Sequence, residues 1–241
     1  MEFGLIGRSL RHSFSKDHFT RKFREMGLGH TYSNFELDTI QAFPELVRQH
    51  PGLKGLNVTI PYKEQIIPFL DSVSKEASQI GAVNTIRIQN GKYHGYNTDV
   101  FGFEKSLAPL LRPQHQKALI LGTGGASKAV AFVLRKLGIT ATQVSRKPSA
   151  DRVNYEEAGR LLEDHLLVIN CTPLGTFPGI EDLPPLAMDR VGNDHVCYDL
   201  IYNPPRTKWL QKAAQKGSKI KNGQEMLELQ AEKAWEIWNE F

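Results

Sequence analysis

The chain has 241 residues, 40% of them hydrophobic, and a formal net charge of +4. This composition excludes a disordered protein, and the length suits one large domain or two small ones. No apolar run reaches the roughly 18 residues of a membrane-spanning helix, so we expect no membrane partner. The mild basic excess does not require nucleic acid and suits an anionic small molecule.

The cysteines and the N-terminus predict a cytoplasmic protein. Cys171 and Cys197 form no C-x-x-C pair, which argues against a disulfide scaffold or a cysteine zinc site. Met1 leads into a predicted strand rather than into a signal peptide. The eight histidines show no H-x-x-x-H or similar spacing, so we expect no metal site.

Short apolar runs alternate with amphipathic segments along the first half, which is typical of an α/β fold. We predict strands at residues 3–6, 31–36 and 53–58, and helices near residues 15–26, 40–48 and 63–71. A hairpin should pair residues 82–88 with residues 92–95, because Asn90-Gly91 is a strong two-residue turn signal.

The second half continues the alternation and predicts a parallel sheet with right-handed crossovers. Strands are expected at residues 117–121, 140–144, 166–169 and 196–200, and a helix at residues 128–137. The last predicted helix, residues 225–239, is long enough to return to the first half.

A glycine-rich turn follows the first strand of the second half and opens a helix. It reads Gly122-Thr123-Gly124-Gly125-Ala126, with Ser127 where the strict G-x-G-x-x-G pattern has its last glycine. Gly122 permits a tight turn, and Gly124 lets backbone N–H groups approach a pyrophosphate at the helix N-terminus. The pattern predicts a dinucleotide site. The alternative is a structural turn in another doubly wound domain.

The segment Ser145-Arg146-Lys147 indicates which dinucleotide binds. An NAD site places an acid at this strand end for the ribose 2′-hydroxyl. Here residues 105–150 contain no acid and the strand end carries two cations, which suggests the 2′-phosphate of NADP. The alternative is a solvated Arg-Lys pair in a loop.

Two serines follow the first strand, in the segment Arg11-His12-Ser13-Phe14-Ser15. Spaced two residues apart, Ser13 and Ser15 can face one side of an extended loop and hold a carboxylate. The alternative is helix capping by Ser15, with Ser13 uninvolved.

The end of the third strand carries a second polar cluster. Asn57 and Thr59 share one face, and ligands of open α/β sheets bind at strand carboxyl ends. Pro61 suits the first position of a helix, which would place Lys63 in the first turn, against the dipole. Lys63 is therefore a candidate for proton transfer, and the alternative is a surface lysine.

Three further polar residues lie in apolar surroundings. Asn84 interrupts an apolar run, and Asp99 either caps the next helix or serves the site. Gln230 lies on the line 226, 230, 234 of the last helix among apolar residues, so it needs a partner. That partner is either a ligand hydroxyl or a backbone group.

Taken in order, these segments resemble the shikimate dehydrogenase family over nearly the whole chain. The serine motif is followed by N-V-T-x-P-x-K at residues 57–63, G-A-V-N-T at 81–85, N-T-D-x-x-G at 97–102 and the glycine turn at 122–127. N-x-T-P-x-G follows at 170–175, D-x-x-Y-x-P-x-x-T at 199–207, and G-x-x-M-L-x-x-Q at 223–230.

The resemblance implies an α/β protein of two domains. Residues 1–99, completed by residues 223–241, would form a substrate domain, and residues 100–222 a Rossmann-like NADP domain with a doubly wound parallel sheet. The C-terminal helix would pack back on the first domain. The activity implied is the reversible, NADP-dependent reduction of 3-dehydroshikimate to shikimate by a monomer or homodimer.

The resemblance also implies residue roles. Lys63 and Asp99 would serve proton transfer, and Ser13 and Ser15 would hold the substrate carboxylate. The remaining substrate-binding residues would be Asn57, Thr59, Asn84, Asp99, Tyr202 and Gln230. The cofactor-binding residues would be Gly122, Thr123, Gly124, Gly125, Ala126, Ser145, Arg146, Lys147, Thr172, Leu200 and Gly223.

The sequence departs from the family at three places. Gly7-Arg8-Ser9 replaces a Gly-x-Pro turn, Lys16 replaces a proline, and Ser145-Arg146-Lys147 keeps only the arginine of Asn-Arg-Thr. Alternative functions are a quinate/shikimate dehydrogenase that prefers NAD and a non-catalytic NADP- or metabolite-binding regulator. A nucleic-acid-binding Rossmann protein would need a basic stripe interleaved with aromatic residues, which the sequence lacks.

Overall fold

The computed structural model describes residues 1–10 and 13–240. Arg11 and His12, which open the serine motif, lie outside the described residues. The chain folds into two compact units: Met1–Thr98 together with the segment from Ala231 onward, and Asp99–Gln230.

The first unit contains a six-stranded mixed sheet. Its strands are β1 (Glu2–Gly7), β2 (Thr31–Glu36), β3 (Leu53–Val58), β4 (Ser72–Val73), β5 (Thr85–Gln89) and β6 (Lys92–Tyr96). Their order is β2-β1-β3-β5-β6-β4. β1 pairs in parallel with β2 and β3, whereas β5 is antiparallel to both β3 and β6.

The helices of the first unit begin at recognisable caps. They are α1 (Phe14–Glu25), α2 (Phe43–Gln49) and α3 (Lys75–Ile80). Ser13 Oγ accepts from Lys16 N at 3.2 Å at the start of α1, and Ser74 Oγ accepts from Ala77 N at the start of α3. The β5–β6 hairpin turns at Asn90 and Gly91, which have φ of 54° and 72°, as the Asn-Gly pair predicts.

The second unit contains a six-stranded sheet in which every strand pair is parallel. Its strands are β7 (Lys117–Leu121), β8 (Thr140–Val144), β9 (Arg152–Val153), β10 (Leu167–Asn170), β11 (Val196–Asp199) and β12 (Lys219–Lys221). Their order, β12-β11-β10-β7-β8-β9, is that of a doubly wound sheet.

Five α-helices start in the second unit. They are α4 (Asp99–Leu107), α5 (Gly125–Lys136), α6 (Tyr155–Leu161), α7 (Lys208–Gln215) and α8 (Gln224–Asn239). The second half of α8, from Ala231, belongs to the first unit.

The C-terminal half of α8 packs into the core of the first unit. Ala231, Ala234 and Trp238 lie in one buried cluster with Phe3 and Phe19. The Trp238 indole Nε1 donates to Ile86 O at 3.0 Å. The helix that the sequence predicts to return to the first half does so. Together with the two sheets, this confirms the predicted fold class.

The predicted helix over residues 63–71 is wrong. Residues 60–66 form successive turns, and only Ile67–Phe69 makes a short 3₁₀ helix. An α-helix over residues 63–71 would hold Pro68 in its interior, where the ring removes a donor and clashes with the carbonyl of residue 64. Pro61 therefore does not open a helix, and Lys63 does not lie in the first turn of one.

Candidate active site

The carboxyl ends of β7 and β10 lie side by side in the second unit. They are neighbours in the sheet, but the chain runs from β7 towards β9 and then returns to β10 on the other side. Such a switch point is where doubly wound sheets bind ligands. Gly122 follows β7 and Thr172 follows β10, and a Cβ added at Gly122 would lie 3.0 Å from Thr172 Cγ2.

The glycine turn has the backbone geometry of an anion cradle. Gly122 has φ of +100°, which disfavours any side chain, and Gly124 is the N-cap of α5. A Cβ added at Gly124 or Gly125 would meet no atom within 4 Å outside the neighbouring backbone, so there is open space beside these two glycines. α5 starts at Gly125, three residues before the predicted helix, so Gly125 and Ala126 form its first turn. Thr123 is exposed beside them.

Gln143, near the end of β8, supports this turn, and the sequence analysis did not identify it. Its Nε2 donates to Gly122 O and to Ser127 Oγ, both at 3.2 Å. The Ser127 hydroxyl in turn donates to Gly124 O at 2.6 Å. Ser127 therefore replaces the last glycine of the strict pattern with a hydrogen bond that holds the turn.

The residues predicted to read the 2′-phosphate lie in the loop after β8. Arg146 and Lys147 are exposed, and Ser145 Oγ accepts from Lys147 N at 3.1 Å. Arg152, which the sequence analysis did not single out, opens β9 opposite Gln143. Its guanidinium lies 3.6 Å from the carboxylate of Asp151, the first acid after the acid-free stretch.

A buried carboxylate lies at the end of β11. Asp199 is fully buried and accepts from Asn170 Nδ2 at 3.0 Å, Ile201 N at 3.1 Å and Thr207 Oγ1 at 2.7 Å. Burial nevertheless raises the pKa of Asp199 to about 6, since these bonds offset only part of the desolvation cost. Asn170 Oδ1 also accepts from Thr172 Oγ1 at 2.7 Å, so Asp199 indirectly orients Thr172.

The remaining second-unit candidates lie at the ends of β11 and β12. A Cβ at Gly223 would lie 2.0 Å from Leu200 O, so only glycine permits this approach. Tyr202 is half-buried, and burial raises the pKa of its hydroxyl.

Gln230 lies on the buried side of α8. Its Nε2 donates to Leu227 O of the same helix at 2.9 Å, which is the backbone partner that the sequence analysis left open. A Cβ at Gly102 would lie 2.4 Å from Met226 O, so the glycine of N-T-D-x-x-G brings α4 against α8 here.

A second switch point lies in the first unit, between β1 and β3. Thr59 N donates to Ile6 O at 2.9 Å, and a Cβ at Gly7 would lie 2.7 Å from Thr59 Cγ2. Asn57 lies in β3, two residues before Thr59, and is buried. Asn57 and Thr59, which the sequence predicts to share a face, therefore lie at the carboxyl end of β3, beside this switch point.

Asn57 and Asn84 belong to one buried hydrogen-bonded cluster. Asn57 Nδ2 donates to Thr85 Oγ1 at 3.2 Å and to Asn84 O at 3.3 Å. Asn84 Oδ1 accepts from Thr98 N at 2.7 Å, and Asn84 Nδ2 donates to Thr98 Oγ1 at 3.1 Å. The motifs at residues 57–63, 81–85 and 97–102 thus converge on a single polar cluster.

Tyr32 extends this cluster, and the sequence analysis missed it. Its hydroxyl donates to Asn57 Oδ1 at 2.8 Å. The Tyr32 ring stacks on Phe19 with centroids 4.9 Å apart. A tyrosine in a predicted strand gives no local signal that its hydroxyl reaches a distant motif.

The two serines differ in their structural roles. Ser13, in extended conformation, is the N-cap of α1, whereas Ser15 lies inside the helix. The expectation that both sit in an extended loop is wrong, and so is the alternative that Ser15 is the cap. Both side chains lie at the positive end of a twelve-residue helix, which favours an anion there.

The two candidates for proton transfer lie in different units. Lys63 is half-buried in the turns after β3, and its backbone carbonyl accepts from Val83 N at 2.7 Å. Asp99 is buried and is the first residue of α4. It therefore does not occupy the N-cap position, which precedes the helix.

Residues 1–10 and 13–240 contain no cluster of three or more metal-ligating His, Cys, Asp or Glu side chains. No helix within the same ranges is long and apolar enough to span a membrane.

Comparisons with known proteins agree with this arrangement. Residues 5–86 match the model of the shikimate dehydrogenase substrate binding domain. A shikimate dehydrogenase (NADP(+)) of Clostridium beijerinckii is 40% identical over 254 residues, covering 100% of this chain and 93% of the relative.

Two crystal structures are similar over almost the full length. Shikimate dehydrogenase from Aquifex aeolicus has a TM-score of 0.89 and 36% identity, covering 99% of this chain and 92% of that one. Shikimate 5-dehydrogenase from Thermus thermophilus, in complex with NADP(H) and shikimate, has a TM-score of 0.87 and 31% identity, covering 99% and 93%.

The fold and the glycine turn define an α/β protein of the dinucleotide-binding class, with a second sheet that carries its own polar switch point. The relatives identify a family within this class, since their similarity extends over the whole chain. The chain belongs to the shikimate dehydrogenase family, as the sequence motifs predict.

Proposed function

We propose that this protein catalyses the reversible, NADP-dependent reduction of 3-dehydroshikimate to shikimate. The observation that carries the proposal is the buried cluster in which Asn57 and Asn84, from two separate family motifs, share hydrogen-bonded partners. Buried polar clusters at a switch point are typical of ligand sites. The Thermus thermophilus relative binds NADP(H) and shikimate, which supports the same pair of ligands here.

NADP fits the second unit. Gly122, Gly124 and Gly125, at the start of α5, would hold the pyrophosphate with backbone N–H groups and the helix dipole. Arg146 would bind the 2′-phosphate with charge-assisted hydrogen bonds, with Lys147 adding a second positive charge. The other residues assigned to the cofactor are Thr123, Ala126, Ser145, Thr172, Leu200 and Gly223.

The substrate carboxylate fits the N-terminus of α1. Ser13 caps α1 and Ser15 lies in its first turn, where hydroxyls and the helix dipole together favour an anion. The ring hydroxyls would bind at the polar cluster. We assign this role to Asn57 and Asn84 of the cluster, and also to Thr59, Asp99, Tyr202 and Gln230.

We assign Lys63 and Asp99 to proton transfer. When bound, NADPH supplies the hydride that reduces the ring ketone. Lys63 would deliver a proton to the ketone oxygen, and Asp99 would orient the Lys63 ammonium. Neither residue needs a metal for this role.

Two alternatives fit less well. A preference for NAD requires an acid for the ribose 2′-hydroxyl, and Ser145-Arg146-Lys147 stands where that acid would be. A non-catalytic regulator would have no use for the Lys63–Asp99 pair, which is retained.

We further propose a cytoplasmic monomer or homodimer whose partners are its small-molecule substrate and cofactor. The free cysteines, Cys171 and Cys197, support a reducing compartment.

A substrate panel tests the proposal. The purified protein is supplied with NADP⁺ and either shikimate or quinate, and with NADPH and 3-dehydroshikimate. We expect turnover of shikimate and 3-dehydroshikimate, and the rate with quinate measures the alternative activity. Absence of turnover with both shikimate and 3-dehydroshikimate would overturn the proposed function.

A further inference from the structure

A run of side-chain hydrogen bonds leads from the end of β11 to the loop beside the glycine turn. Asp199 and Asn170 are register partners in the parallel sheet, and Asn170 is also the partner of Leu121 in β7. Asn170 Nδ2 donates to Asp199 Oδ1 at 3.0 Å. Asn170 Oδ1 accepts from Thr172 N at 3.0 Å and from Thr172 Oγ1 at 2.7 Å. All of these residues belong to the second unit.

The two ends of the Asn170 amide cannot exchange places. Asn170 and Asp199 are fully buried, so a polar atom left without a partner at either residue would be costly. Burial raises the pKa of Asp199 to about 6, so at pH 7.5 its side chain is a carboxylate and only accepts. The Thr172 backbone N–H only donates. A flipped Asn170 amide would therefore oppose two acceptors at Asp199 and two donors at Thr172.

The Thr172 hydroxyl is used inside the loop that follows β10, residues 171–174. Its single hydrogen goes to Asn170 Oδ1, and its oxygen accepts from Leu174 N at 3.3 Å. The other branch of the side chain, the methyl Cγ2, lies against the glycine turn, 3.0 Å from a Cβ added at Gly122. The hydrogen bonds of Thr172 thus hold the loop, while its methyl group borders the proposed pyrophosphate site.

The loop over residues 171–174 is therefore built from contacts within the protein. None of the four hydrogen bonds at Asn170 and Thr172 involves the cofactor that we propose at the glycine turn. A preformed site binds its ligand more tightly, since binding does not have to order the site. Loss of these bonds should weaken cofactor binding without removing any contact to the cofactor.

Resting on the proposed NADP site, we propose that Asn170 and Asp199 are positioning residues for the cofactor. They hold the loop over residues 171–174, and with it Thr172, in the binding conformation before the cofactor arrives. Asn170 acts on the loop directly, and Asp199 acts by fixing the orientation of the Asn170 amide.

Hydrogen exchange tests the preformed loop in the protein without cofactor. The Thr172 amide should exchange slowly in the wild type and about tenfold faster in Asn170→Ala, since this variant lacks its acceptor. The Cys171 amide is the internal reference, because it donates to the backbone carbonyl of Leu121 at 2.9 Å and should stay slow in both proteins. Two-dimensional NMR spectra resolve the two amides.

Calorimetry measures NADP⁺ binding in variants along the same run of hydrogen bonds. Asn170→Ala and Asp199→Ala should each raise the dissociation constant about threefold to tenfold, as for one hydrogen bond. Asp199→Asn should stay within about twofold of the wild type, because an asparagine oxygen can still accept from Asn170 Nδ2. This conservative variant shows whether the hydrogen bond to Asn170 matters rather than the charge.

Thr207→Val is the matched control. Thr207 is fully buried, and its Oγ1 donates to the other carboxylate oxygen, Asp199 Oδ2, at 2.7 Å and caps α7. The substitution removes a buried hydrogen bond from the same carboxylate but leaves the bond to Asn170 intact. We expect lower stability to denaturant, with NADP⁺ binding within about twofold of the wild type.

The outcomes separate the two proposals. Fast exchange of the Thr172 amide in the wild type without cofactor would show that the loop is not preformed and would overturn the inference, whether or not the variants fold. Equal losses of NADP⁺ binding in Asn170→Ala and Thr207→Val would also overturn it. If the wild type does not bind NADP⁺, the proposed function itself fails.

Discussion

The Gln143 side-chain amide donates to Ser127 Oγ at 3.2 Å and so ties the end of β8 to the first turn of α5. The same amide donates to Gly122 O, and Ser127 donates to Gly124 O. The conformation of the glycine turn therefore depends on a side chain sixteen residues further along the chain. Because the turn would hold the pyrophosphate, Gln143 should affect cofactor binding without contacting the cofactor.

Gln143→Met should weaken NADPH and NADP⁺ binding about threefold to tenfold, since it removes two hydrogen bonds that hold the turn but keeps the side-chain length. Calorimetry should show unchanged shikimate binding. Gln116→Met is the control, because Gln116 also donates to a carbonyl of this unit but lies outside the turn. Equal losses in both variants would show that Gln143 has no specific role.

Ser13→Ala and Ser15→Ala should each raise the KM for shikimate and leave the KM for NADP⁺ unchanged. Each lost hydrogen bond to a charged carboxylate costs about 1.5–3 kcal/mol. The methyl ester of shikimate should be nearly insensitive to both substitutions. If acid and ester respond alike, the serines do not bind the carboxylate.

Lys63→Ala should lower kcat about 10²–10⁴-fold, the usual loss for a general acid, with a small effect on shikimate binding. Lys54→Ala is the matched control, because Lys54 is the exposed lysine of β3. Asp99→Asn should lower the same rate constant, and the double variant should lose less than the product of the two single losses. A change confined to KM would make Lys63 a binding residue only.

Asp199 should make stability depend on pH. Its pKa is raised to about 6, whereas an unfolded aspartate titrates near 3.9. Below about pH 4 the Asp199 carboxyl is mostly protonated in both the folded and the unfolded protein. Its burial then has no electrostatic cost to stability. As pH rises from 4 to 6 the unfolded state releases the proton first, so the free energy of unfolding falls, by at most about 3 kcal/mol.

The variant Asp199→Asn isolates this contribution. An asparagine can still accept from Asn170 and Ile201 and can donate to Thr207. Denaturant unfolding at pH 4.5 and 7.5 should show the variant gaining stability relative to the wild type at the higher pH. A difference that stays constant between the two pH values would contradict the raised pKa of Asp199.

Local patterns predicted most of the fold. The bounds predicted for β2, β3, β7 and β8 are those observed, because each strand is a compact run closed by turn residues. The apolar spacing over residues 63–71 predicts a helix that does not form, because Pro68 would lie in its interior. The short helices α6 and α7 were missed, although Asn154 and Thr207 are caps that could have revealed them.

The sequence predicts individual residues of the candidate site, but it does not predict the hydrogen bonds that join them. Motifs identified Asn57 and Asn84, and the structure joins them through Thr85. Tyr32 and Gln143 act through hydrogen bonds to residues sixteen or more positions away, so no local pattern reveals them. Buried polar links of this kind depend on which strands become neighbours, which short-range spacing does not specify.

The cofactor preference tests the central claim most directly. Initial rates of 3-dehydroshikimate reduction are followed with NADPH and with NADH, for the wild type, Arg146→Ala and the control Arg160→Ala, an exposed arginine of α6. We expect the wild type and the control to prefer NADPH strongly. Arg146→Ala should weaken NADPH by on the order of 2 kcal/mol, roughly thirtyfold, and leave NADH nearly unchanged. A wild type that reduces 3-dehydroshikimate equally well with NADH, or not at all with NADPH, would contradict the account.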